Sequence, residues 1–185
     1  MWCDDDPDQG PLHTTFKLDA EGEDDGEDRR QTLDFQMQAG KLLGAVAGAD
    51  GKLEEALEQL EGIETAILQA SRADLSLLDE ARQLELKLLD LRDTLTGDST
   101  RTRRRQTTAP SILERARNAL SGSLDSTYGP TKTHRQELAI AQQQFQSLAA
   151  KITQMLEVDL VALQKRLDQA GVPWTSGRPV PKLNQ

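Results

Sequence analysis

The side chains able to do chemistry in this 185-residue chain are few, and their spacing limits each of them. The two histidines, His13 and His134, stand far apart, and neither is preceded by glutamate in a Glu-x-x-His pattern. A helical di-metal centre takes such a pair from each of two helices, so no metal site is expected. Cys3 is the single cysteine and forms neither an internal disulfide nor a multi-cysteine metal site. Its neighbours Asp4, Asp5 and Asp6 disfavour the reactive thiolate. No Gly-x-Ser-x-Gly elbow is present to activate a serine. Gly40-Lys41 and Gly51-Lys52 lack the remainder of a phosphate-cradling Gly-x-x-x-x-Gly-Lys-Ser/Thr loop. The carboxylate pairs Glu54-Glu55 and Asp24-Asp25 are sequence neighbours; on a helix they diverge by about 100°, and in a linker they are solvated. The expectation is a non-enzyme without a cofactor.

One basic cluster stands out: Arg101, Arg103, Arg104 and Arg105, in a polar stretch, with Arg115 and Arg117 downstream. Such a cluster is the candidate contact for an anion or nucleic acid, and Arg-Arg-Gln-Thr ending at Thr107 also resembles a basic-directed phosphorylation site. The charge balance argues against nucleic acid. The net charge is −9, and residues 1–28 hold eleven acids against Lys17 alone, which leaves the rest near neutral. A near-neutral body has no overall field to draw in nucleic acid or an anionic membrane, so the arginines are expected to lie in a solvated loop. No run of about 20 apolar residues exists to span a bilayer. The first residues also lack the basic start and apolar middle of a signal peptide. Neither a membrane span nor an export signal is expected, and the sequence assigns no compartment.

The elements that would position these residues are helices. Aromatics make up 3% of the chain, too few to pack a pleated surface, so the fold class is all-α. Phe35, Ala39, Leu42, Val46, Ala49, Leu53, Ala56, Leu60, Ile63, Ile67 and Ala70 step alternately by four and three. That is a heptad, and it predicts one long helix from about Asp28–Gln31 to Ser71 that needs helical partners. Ala47 to Gly51 could be a turn, but the heptad keeps its phase through it, which favours one helix, bent or straight. Gly40, Gly44 and Gly48 share a face and are expected to mark the closest helix contact or the point of bending. A second helix, Asp74 to Leu95, carries Leu77, Ala81, Leu84, Leu88, Leu91 and Leu95, with Ser76 as the candidate cap and Gly97 as its stop.

Asp98 to Ala109 is the longest loop of the body. A third, short helix then opens on Pro110 with a Ser111/Glu114 capping box and ends near Leu124. The fourth is expected to open at Thr131–Thr133, with Gln136 boxing Thr133, and to run to Ala170. Its apolar positions are Leu138, Ala141, Phe145, Leu148, Ile152, Leu156, Leu160, Leu163, Leu167 and Ala170. Two successive four-residue steps after Ile152 form a stutter that turns Asp159 outward. Gly171 and Pro173 stop the helix, and Trp174 is expected to fold back on the bundle end.

The resulting architecture is an elongated antiparallel four-helix bundle with two long helices, the second and third forming the return layer between them. Residues 1–28 are an acidic leader expected to be disordered, with 13–18 able to form one short strand. Residues 29–171 are the bundle, and 172–185 a Pro-rich tail.

The long first helix, the Tyr128-Gly129-Pro130-Thr131 break, and the ending from Asp159-Leu160-Val161-Ala162-Leu163 through Ala170-Gly171-Val172-Pro173 carry a resemblance. The stretch Arg29 to Leu183 resembles the helical region at the C-terminal end of large bacterial glycosyl-hydrolase-like proteins with BNR or sortilin-like repeats. The resemblance implies an accessory module after a β-propeller and a small immunoglobulin-like module, residues 13–18 being a remnant strand of the latter. Its partners would be the preceding β-domains of a larger protein, or another protein. No Ser-x-Asp-x-Gly-x-x-Trp box is present, so no propeller activity carries over to any residue here. Matching apolar stripes on the other helices let the first helix satisfy itself within its own chain, leaving self-association as an option.

Overall fold

The computed structural model describes residues 24–70, 74–98, 109–126 and 129–179, with side chains from Glu27 onward. The candidate strand at 13–18 and the arginines at 101–105 lie outside them. The described elements are all helical. Helix α1 spans Asp24–Gln69, α2 Leu75–Thr96, α3 Ile112–Leu124 and α4 Lys132–Gln154. A π-helical turn, Met155–Asp159, joins α4 to α5, Leu160–Gln169.

Helix α1 begins at Asp24, earlier than the heptad alone indicates. Glu27 and Asp28 in its first turns place negative charge near the positive end of the helix dipole, which favours the added turn. The helix passes through Ala47 to Gly51 without a break, as the unbroken heptad phase requires. Its stripe is buried from Phe35 through Leu53 and Leu60 to Ile67, while Ala49 and Ala70 lie at the core's edge.

The helix ends follow capping chemistry, with two corrections. The cap of α2 is Asp74, not Ser76: Asp74 is extended, and its carboxylate accepts the Ser76 backbone N–H at 3.0 Å. Ser76 already sits in the first turn. The hydrogen bond holds the Asp74 carboxyl below its usual range. Helix α3 opens with the expected box, Ser111 Oγ accepting from Glu114 N–H at 3.2 Å and Glu114 accepting from Ser111 N–H at 3.0 Å. Helix α4 is capped by Thr131, not Thr133. Its box partner is His134, whose backbone N–H donates to Thr131 Oγ1 while Nδ1 accepts from Thr131 N–H, both at 3.3 Å. Imidazole thus fills the place usually taken by Glu or Gln.

The stutter after Ile152 is accommodated by the π turn instead of by a relaxed α-helix. The Leu160 N–H reaches back to the Met155 carbonyl, an i→i+5 bond that shifts register locally. Leu160, Leu163 and Leu167 are buried beyond it, and Asp159 is exposed as expected. Ala170 does not continue the stripe: it is exposed, because the chain turns there in a Schellman motif. Gly171 takes φ 67°, its N–H donates to Asp168 at 3.2 Å, and Val172 N–H donates to Leu167 at 3.0 Å. Val172 and Leu167, both buried, are the apolar contact that accompanies this motif.

The five described helices thus make three rods. Arg92 pairs with Asp50 at 2.9 Å and Arg82 with Glu64 at 3.6 Å, which fixes α2 antiparallel to α1. Helix α3 continues the return, its Ser123 carbonyl accepting from Gln36 Nε2 at 3.4 Å near the start of α1. The chain reverses at Gly129, φ 73°, against Thr32, and α4 and α5 run back parallel to α1. Arg115 of α3 pairs with Glu137 of α4 at 2.7 Å, and Arg166 of α5 pairs with Glu80 of α2.

The tail turns back onto α1. Its anchor is Arg178, buried, donating to the Pro173 carbonyl at 2.9 Å and paired with Asp168. Trp174 remains 51% exposed and uses its indole N–H to close the tail's own turn, donating to the carbonyls of Arg178 and Pro179. Gly177 lies against the Gln59 side chain, and Thr175 against Gly62.

The glycine face of α1 does not make the close helix contact expected of it. Among the described residues, and apart from the helix's own backbone, no atom lies within 4 Å of where a Cβ would stand at Gly40, Gly44, Gly48 or Gly51. The close approaches occur elsewhere, as at Gly122, where the His134 imidazole fills the side-chain position. If the core carries the fold, Leu60→Ala, at a fully buried position, lowers unfolding free energy by about 2–5 kcal/mol in a denaturant titration.

Candidate functional site

The residues with chemical potential do not converge. Arg101, Arg103, Arg104 and Arg105 lie outside the described residues. Of their downstream partners, Arg117 is exposed and Arg115 is committed to Glu137 across the α3–α4 contact. His134 is a helix cap and a packing group. Glu54 and Glu55 diverge: Glu54 lies 3.7 Å from Arg92, and Glu55 pairs with Lys52 at 2.6 Å. Among the described residues, no group of three or more His, Cys, Asp or Glu is placed to hold a metal ion. No described helix is long and apolar enough to cross a membrane.

A cleft of about 810 Å³ lies where α2 gives way to α3 and is bordered by Asp93, Ser111, Glu114, Gln144, Ser147 and Lys151. It is open and polar, and its lining gathers the carboxyls of Asp93, Asp98 and Glu114 with the Lys151 amine.

What the fold does assemble is a surface. Side chains advance about 100° per residue around a helix, so Leu33, Met37, Gly40, Gly44, Gly48 and Gly51 fall on one line, opposite the buried line of Phe35, Leu42 and Leu53. Leu33 is 58% and Met37 56% exposed, large apolar groups turned to solvent. Between Leu33 and Gly51 the exposed charges on this face, Asp34 and Lys41, lie along one edge of that line, within about 40° of Gly48. Arg30 stands at one end and Glu55 at the other. The rest of the face, over about 27 Å, carries apolar groups and open glycines. The sequence holds this signal, since the glycines share the phase of Leu33 and Met37, half a turn from the core stripe. Spacing among the glycines alone does not tell an inner face from an outer one.

A second feature escaped sequence reasoning because it joins two helices. Glu64 of α1 faces Glu85 and Arg82 of α2. Its side chain is 20% exposed, and one carboxylate oxygen, Oε1, is buried without a hydrogen-bond partner. Burial first, and the neighbouring Glu85 charge second, push the Glu64 carboxyl above its ordinary 4.5; Arg82 opposes both.

No family model, curated protein or solved structure matches the chain.

The raised Glu64 carboxyl sets a pH dependence. Because the folded state holds this proton more tightly than the unfolded chain, the associated stability is full below pH 4.5 and is lost as pH rises through the folded-state value. Glu64→Gln removes the penalty of ionisation. Its melting temperature is expected above wild type at pH 7, with the gap narrowing as pH falls towards 4.5 in thermal scans.

Proposed function

We propose that the chain is a non-catalytic helical module that spaces and assembles other protein parts. The observation that supports this most is the continuity of the core. One cluster runs from Phe35 along α1, through α2 and α3, to Val172, and ion pairs tie each neighbouring layer. A bundle filled along its length resists bending, because every rod is keyed to two others by buried side chains. Such a rod holds its ends apart and presents outer helix faces for contact. The resemblance to the C-terminal helical region of BNR-repeat glycosyl-hydrolase-like proteins supports a narrower form, an accessory end piece whose partners are preceding β-domains.

The test is a distance measurement. Spin labels at Asp28→Cys and Gln69→Cys, in a Cys3→Ser background, occupy exposed positions on α1 separated by about 62 Å of helix. A narrow distribution near that length is expected from pulsed electron resonance. A broad or much shorter one would sink the rigid spacer.

A further inference from the structure

We infer that the outer face of α1 is a docking seam for a second copy of this chain, packed antiparallel about a two-fold axis near Gly40 and Gly44. This rests on the assembling role proposed above and names the partner.

Three observations carry it. Leu33 and Met37 expose more than half of their surface on the same line as four glycines whose side-chain positions are open. The face is therefore large groups at one end and hollows at the other. Pairing it with itself in antiparallel order sets Leu33 over Gly51 of the second copy and Met37 over Gly48, knob into hollow, and repeats both contacts on the other side of the axis. A parallel pairing would set knob on knob.

The charges at the rim follow the same symmetry. In an antiparallel pair related by a two-fold axis, the same edge of each helix meets its counterpart. Arg30 then lies opposite Glu55 of the second copy, and Asp34 opposite Lys52, each twice. Lys41, near the axis, meets Lys41 at moderate distance and opposes the pairing, as does Glu58, which falls opposite Glu27 of the second copy just beyond the seam; Lys52 and Glu55, paired with each other in the single chain, would exchange partners. In a parallel two-fold pair opposite edges meet, so these charges would not face their counterparts. The face is thus complementary to its own reversed copy in shape and in charge.

The third observation lies on the same helix. Gly62, on the same side of α1 as the seam, is the glycine of this face that the chain itself covers, with Thr175 of the tail at 3.9 Å from its side-chain position. A tail side chain does settle on this side of α1 beside a glycine. The seam is about 27 Å long, shorter than stable obligate interfaces require, so affinity in the micromolar range is expected.

Sedimentation equilibrium of the full chain tests the seam, with Gly44→Gln and the charge pair as variants. Wild type is expected to form dimers by about 100 µM, a concentration above a micromolar dissociation constant. Gly44→Gln is expected to remain monomeric while melting at least as high as wild type when both are dilute, since glutamine is the better helix former. A misfolded variant is thereby told apart from a dissociated one. Arg30→Glu is expected to weaken pairing about tenfold, and adding Glu55→Arg to restore it. A wild type monomeric throughout overturns the inference, as does a Gly44→Gln chain that still dimerises. Either result alongside a narrow label distance across α1 would remove the seam and leave the spacer standing.

Discussion

An apolar stripe along a 46-residue helix must be covered over nearly its whole length, and the rest of the structure follows from that demand. At 1.5 Å per residue, the buried part from Phe35 to Ile67 runs about 48 Å. One short helix is not long enough. The chain answers with α2 and α3 laid end to end as a single return layer, and then with α4 and α5 as a rod nearly as long as α1. The breaks fall where a cover can be interrupted without opening the core. At the α2–α3 junction, Leu95 and Ile112 remain fully buried on either side, and the polar cleft lies outside them.

Joining helices end to end leaves many backbone donors and acceptors without helical partners. Asp74, Ser111 with Glu114, Thr131 with His134, and the Schellman turn at Gly171 each take up some of these groups. The His134 arrangement couples two demands. Its Nδ1 closes the cap of α4, and its ring occupies the hollow at Gly122 of α3, so one side chain both starts a helix and locks it to its neighbour. The π turn has a comparable double role. It corrects the register between the stripe ending at Ile152 and the one beginning at Leu160, so that both halves of the last rod face the same core.

The fold class, the return layer, the continuity of α1, the Ser111/Glu114 box and the stop at Gly171 were legible in the sequence, because each is written in residues close together along the chain. The caps of α2 and α4 were misplaced by two residues, since Asp74 and Ser76, or Thr131 and Thr133, are chemically equivalent candidates. Only backbone conformation separates them. Arg178 was missed for a different reason. An arginine in a Pro-rich tail reads as solvated, and its burial depends on Asp168 and the Pro173 carbonyl meeting it after the chain has turned. Glu64 was illegible likewise, because its neighbours Arg82 and Glu85 come from another helix.

The glycines of α1 are the sharpest case of local and global preference in conflict. Each costs about 1 kcal/mol relative to alanine in a helix interior. Four of them cost about 4 kcal/mol, a large share of the 5–15 kcal/mol that typically holds a domain together. A tight contact inside the bundle would offset that cost, and it was the natural expectation from their spacing. The bundle makes no such contact. Conformational freedom is no better an explanation, because the helix is continuous and none of the four takes a positive φ. A bend is not required either, since the apolar stripe keeps its phase on both sides of them. What distinguishes these positions is that they are empty, uncharged and aligned with two exposed apolar side chains. The cost is carried by α1 itself, whereas a gain to offset it needs an atom in the hollow that no described residue supplies.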